Sequence, residues 1–234
     1  MNFSKEDEKA VKWCEDNYKN LTDEYKKIMM EQYILFCKKH RNYGTGNVNV
    51  GTNLETDADV KLALTGLWFR VNDKIQRLKQ LVIQNEPDTV GESLTDTFQD
   101  LSVYGIIAQL VQNKKLQMEY SKEDNEAVKW CEDTYPDLTT EYKKIMMEQY
   151  IIFCKKHRNY GTGNVNVGTN LETDNDVKLS LTGLWFRMND KIQRLKQLVV
   201  LGEPDTVGES IVDTFQDLSV YGIIAQIVQQ KKFK

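Results

Sequence analysis

The chain has 234 residues, 40% of them hydrophobic and 28% charged, with a formal net charge of −4. That balance fits a globular protein with a real core and excludes a disordered chain. An acidic balance also disfavours strong nucleic-acid binding, which needs a basic surface. The opening stretch MNFSKEDEKA has no apolar signal region, and no apolar run approaches the roughly 18 residues of a membrane span. A cytoplasmic location with no membrane partner is therefore expected.

The sequence is a tandem repeat. Shifted by 117 residues it matches itself without a gap, at about 96 of 117 positions. Met1 falls on Met118, Trp13 on Trp130 and Gly44 on Gly161. The period is the size of a small domain, so two near-identical helical-bundle domains are expected, over 1–117 and 118–234. The two should dock as a pseudo-twofold fused dimer. The cysteines Cys14, Cys37, Cys131 and Cys154 form no CxxC pair and read as small buried hydrophobes in a reducing compartment. With three prolines, many strong helix formers and no period-two runs, the fold class is all-α, about four helices per copy.

In chain order, Ser4 with Asp7 three residues on predicts a capping box. A short helix follows to about Asn17, with Val11 and Cys14 on its inner face. Thr22 is expected to cap a second helix, roughly Asp23 to Arg41, whose buried side carries Tyr25, Ile28, Met29, Phe36 and Cys37. Tyr43 to Asn53 holds three glycines and three asparagines and reads as a loop. Thr56, with Asp59 at N3, caps a long helix from about Ala58 to Val82. Its apolar stripe runs from Val60 through Leu64, Leu67, Val71 and Ile75 to Leu78 and Val82. Glu86-Pro87-Asp88 breaks the chain. Thr89 with Glu92 reads as another capping box, opening the last helix to about Lys114.

Three features bear on chemistry. First, at about 100° per residue Arg70, Asp73, Lys74 and Arg77 share one polar face of the long helix. Two guanidinium groups and an ammonium around one carboxylate suit a phosphate; a solvated face of i,i+4 ion pairs is the plainer reading. Second, Glu92, Asp96 and Asp100 line one side of the last helix, and Glu31 could join them. Like charges at that spacing repel mildly, which suits a cation opposite them: a divalent metal, or the Arg70/Lys74/Arg77 stripe; plain solvation, with Glu92 offsetting the helix dipole, is the plainer reading. Third, His40-Arg41 lead into Tyr43-Gly44-Thr45-Gly46-Asn47, a basic helix end joined to a glycine-rich turn whose N–H groups could approach an anion. The plainer reading is a glycine helix stop with basic residues opposing the helix dipole. Tyr43, Trp68 or Tyr104 could stack on a base.

All of these recur. His157, Arg158, Tyr160, Gly161, Thr162, Gly163 and Asn164 repeat the loop set. Arg187, Lys191 and Arg194 repeat the basic set. Asp190, Glu209, Asp213 and Asp217 repeat the acids. Two equivalent sites follow, rather than one active and one decayed copy.

The run Asn42-Tyr43-Gly44, then Gly66-Leu67-Trp68-Phe69-Arg70 with Asn72-Asp73-Lys74 and Arg77-Leu78, then Glu92-Ser93 with Asp96-Thr97 and Asp100-Leu101 resembles the nucleotide modification associated domain common in phage genomes. The resemblance covers roughly Glu31 to Gln109 and Glu148 to Gln226. It implies an α-helical domain that binds or acts on nucleotides. In outline it is similar to the all-α MazG-type nucleoside triphosphate pyrophosphohydrolases, which hold magnesium through carboxylates on adjacent helices. The chain departs from that layout twice. Asn42 stands where the family has Asp, and no E-x-x-E pair precedes Asp73. Both departures weigh against hydrolysis and leave phosphate binding intact. The expected ligand is a phosphorylated nucleotide, a dNTP or a cyclic signalling nucleotide, with magnesium if the protein is an enzyme. A further homo-oligomer is compatible with the fused pair.

Overall fold

A computed structural model describes residues 4–43, 54–112, 124–162, 165 and 169–233. The fold is all-α, with no strand among the described residues. The first repeat supplies α1 (Lys5–Asn17), α2 (Lys19–Tyr43), α3 (Asp57–Leu78) and α4 (Leu94–Gln112). The second supplies α5 (Asp124–Thr134), α6 (Pro136–Tyr160), α7 (Asp174–Leu195) and α8 (Ile211–Gln229). α3 and α7 each run on into a π-helical turn, Lys79–Ile83 and Lys196–Leu201.

Several caps follow the sequence. Ser4 and Asp7 form the capping box of α1, and Thr56 and Asp59 that of α3. Two boundaries differ. Thr22 is not a cap: the chain re-enters a helix at Lys19, and the Thr22 hydroxyl donates to the Lys19 carbonyl at 2.9 Å. Pro136, the counterpart of Lys19, stands at the start of α6, where its missing N–H costs nothing. Nor does Thr89 open the last helix. That helix begins at Leu94, with Ser93 and Asp96 exchanging the capping hydrogen bonds; Gly91 at φ 79° turns the chain just before it.

α4 and α8 pack along each other at the centre of the molecule. Both are buried around most of their circumference, from Thr97 to Val111 and from Thr214 to Val228. That burial explains why α8 is apolar enough to pass for a membrane-crossing helix by length and composition; 67% of its apolar window lies inside the protein. Their crossing is close because both contact points are glycine. A Cβ on Gly105 would sit 2.7 Å from the Phe215 carbonyl oxygen, and one on Gly222 would sit 2.8 Å from that of Phe98. Ser102 and Ser219 donate to each other's carbonyl oxygens across the crossing, each at 3.0 Å.

The leading helices are exchanged. α1 packs chiefly on α6 of the second repeat, and α5 on α2 of the first. The Tyr33 hydroxyl donates to Glu132 and the Tyr150 hydroxyl to Glu15, both at 3.1 Å. The Trp68 indole N–H donates to the Ile192 carbonyl at 3.2 Å, and that of Trp185 to the Ile75 carbonyl at 3.1 Å. Phe36 stacks on Tyr142 at 4.4 Å and Tyr25 on Phe153 at 4.3 Å. Such pairs add about 0.5–1.5 kcal/mol each beyond their burial. One continuous apolar core therefore runs through both repeats.

Candidate functional site

A charged, half-buried cluster in each repeat lies where α2, α3 and α4 meet, with its counterpart between α6, α7 and α8. The i,i+3 and i,i+4 spacing of α3 turns Lys74 and Arg77 toward the start of α4. Lys74 bridges Glu92 and Asp100, the second at 2.9 Å. Arg77 contacts Asp88 at 3.1 Å and also donates to the Thr97 hydroxyl and the Glu92 carbonyl. Lys39 of α2 reaches Asp100 from the other side. The second repeat repeats the set: Lys191 between Glu209 and Asp217, Arg194 on Asp205 at 3.0 Å and Lys156 on Asp217 at 2.6 Å. The basic and acidic stripes thus face each other. Paired carboxylates raise the Lys74 and Lys191 ammonium groups above their usual range, against the opposing effect of burial.

Aromatic rings flank each cluster. Lys39 lies 5.7 Å and Arg70 6.0 Å from the centre of the Tyr104 ring. Lys156 lies 5.9 Å from that of Tyr221. Burial, the largest influence, and the nearby Asp100 and Asp217 raise both phenols.

Other predicted residues lie elsewhere. Asp73 and Asp190 are exposed. Asp96 and Asp213 serve as the N3 acids of their helix caps, bound to Ser93 and Ser210. No group of three or more His, Cys, Asp or Glu converges at metal-ligand distance among the described residues. Trp68 is buried between the repeats rather than open to a base.

His40 and His157 are core residues. His40 is fully buried, stacked on Phe36 with Tyr135 of the other repeat edge-on at 5.6 Å, and neither ring nitrogen has a hydrogen-bond partner. Burial lowers its pKa to about 4 and depresses that of His157 too. Arg41 is buried, while its counterpart Arg158 is exposed beside the Trp13 ring. Tyr43 and Tyr160 are each about two-thirds exposed at the helix ends. Gly161, at φ 60°, stops α6 and donates to the His157 carbonyl at 2.7 Å, as a glycine stop would; Thr162 follows it. Gly44, Thr45, Gly46, Asn47, Gly163 and Asn164 lie outside the described residues.

Sequence reasoning did not single out Lys39, Lys156 or Phe233. The two lysines look like ordinary helix-end residues; only the approach of a third helix gives them a partner. Phe233 folds back onto His157, 5.6 Å away, and lines a cavity with Phe153, Lys156, Gly161 and Tyr221. That cavity is about 20 Å³, the space of a water molecule rather than a base. Compared with known proteins, the chain matches no family model, no curated protein and no solved structure.

Proposed function

We propose that each repeat binds a phosphorylated nucleotide at its polar cluster, and that the protein holds this ligand without efficient turnover. It would act as a sponge for a nucleotide immune signal or metabolite in the cytoplasm of a phage-infected cell. The two repeats would be related by a pseudo-twofold axis, a reading supported by the recurrence of inter-repeat bonds 117 residues on. Arg70, Lys74, Arg77 and their counterparts Arg187, Lys191 and Arg194 supply cations for the phosphates. Tyr104 or Tyr221 offers a ring beside them.

The observation that carries the choice of holding over hydrolysis is the position of Lys74 and Lys191. Each ammonium stands between the two carboxylates that a magnesium ion would need. The other helix acids, Asp96 and Asp213, are engaged in caps. These residues do not fit a magnesium centre as arranged. A phosphate, in contrast, needs only to exchange with a carboxylate for the same cations.

The test is incubation with nucleoside triphosphates and cyclic nucleotides plus magnesium, followed by chromatography. Ligand removed from solution and recovered intact after heat denaturation is the expected result. Released pyrophosphate would support instead a MazG-like pyrophosphohydrolase. Binding unchanged by Arg70→Ala with Arg187→Ala would refute the site.

A further inference from the structure

All four cysteines are free and buried. They are not scattered. Cys14 on α1 lies beside Cys154 on α6, and Cys131 on α5 beside Cys37 on α2, where the leading helices pack on the opposite repeat. Each contact joins one repeat to the other, through the exchanged leading helix. Each lies beside the tyrosine–glutamate bond of the same interface, Tyr150 to Glu15 or Tyr33 to Glu132. Packing alone requires only a small apolar residue at these positions, and does not require two thiols to meet twice.

We propose that Cys14 with Cys154, and Cys37 with Cys131, are dithiol sites that a peroxide oxidises to two inter-repeat disulfides. Either thiol of a pair can attack first, as the thiolate, and Cys14 is taken as that group for the Cys14–Cys154 pair. The Cys14 thiolate attacks one peroxide oxygen; the O–O bond breaks and hydroxide leaves, taking up the thiol proton to become water. Cys154 then attacks the sulfenic sulfur, the S–S bond forms, and the sulfenic hydroxyl departs with the Cys154 proton as a second water. Two thiols are oxidised and one hydrogen peroxide is reduced to two waters. Because the thiols are buried, the oxidant reaches them when the short leading helix opens locally. The product staples each leading helix to the opposite repeat. The inference is independent of what the polar clusters bind.

The experiment treats the full-length protein with hydrogen peroxide, blocks remaining thiols by alkylation under denaturing conditions, and counts them by mass. The expected fall is from four reactive thiols to none, within single chains, with a higher thermal midpoint that a reductant reverses. Pairing is read from variants, because Leu35 and Ile152 make the tryptic peptides of Cys37 and Cys154 equal in mass. In Cys37→Ser, Cys131 should be left alkylated and Cys14 linked. In Cys154→Ser, Cys14 should be left alkylated and Cys131 linked. The reverse pattern would mean pairing within repeats and would overturn the proposal. So would four thiols surviving peroxide, or links formed only between chains; the wild-type count decides these outcomes even if a variant does not fold.

Discussion

At the scale of single residues, burial decides what charge a side chain carries. The sequence has two histidines, and both are depressed by burial, His40 to about 4. An unfolded chain takes up protons at histidine below about 6.5, whereas folded His40 stays neutral to about 4. The unfolded state therefore binds more protons in that window, and stability falls as pH drops through it. For His40 the full shift corresponds to about 3 kcal/mol. Urea midpoints should hold steady above pH 7 and decline from there to pH 5. His40→Leu with His157→Leu should flatten that decline; a flat wild-type profile would contradict the burial argument.

Lys74 gives a second residue-scale expectation. Lys74→Met keeps the stem but removes the cation that Glu92 and Asp100 share, leaving Asp100 only Lys39 and Glu92 only the longer Arg77 contact at 3.8 Å. The loss should be about 2–3 kcal/mol by urea unfolding, since a partly desolvated charge pair is broken from one side. Lys191→Met should cost a similar amount. A change below about 0.5 kcal/mol would place the cluster among exposed ion pairs of little weight. That opposite charges could meet here was legible in the sequence as one alternative beside a divalent metal, because both stripes follow from helical spacing. That Lys39 joins them was not, because its position depends on a third helix.

At the scale of elements, the caps at Ser4 and Thr56 were legible because both partners of a capping box lie within four residues. The false start at Thr89 arose from the same pattern without an adjoining helix: Gly91 takes a left-handed turn between them. The glycines of α4 and α8 show the limit of propensity reasoning. In an exposed helix, glycine to alanine gains up to about 1 kcal/mol. Here the new methyl would meet backbone of the crossing helix, so Gly105→Ala or Gly222→Ala must push α4 and α8 apart. A net loss of about 1–3 kcal/mol is expected in thermal or urea unfolding. A stabilised Gly105→Ala protein would show that the helices do not cross this closely.

At the scale of the whole molecule, the repeats are not two bundles laid side by side. Each lends its leading helix to the other, and one core spans both. A chain of residues 1–117 alone should therefore expose the α2 surface that α5 covers. Since α1 and α5 share the run Ala10–Asp16 as Ala127–Asp133, two such chains can exchange leading helices and restore the contacts. Light scattering should find a homodimer whose unfolding midpoint rises with protein concentration. A stable, concentration-independent monomer would argue against exchange.

The sequence by itself determined the duplication, the all-α class and most helix faces, and offered the meeting of a basic with an acidic stripe as one reading among others. Each of these depends on periodicity or on residues a few positions apart. The tertiary structure alone decided that the leading helices cross over, that the cysteines meet in pairs, that both histidines are buried and that Lys74 stands between two acids. Those outcomes join residues tens to more than a hundred positions apart. Identical repeats present the same surfaces, so local pattern cannot say whether a helix packs on its own repeat or on the other.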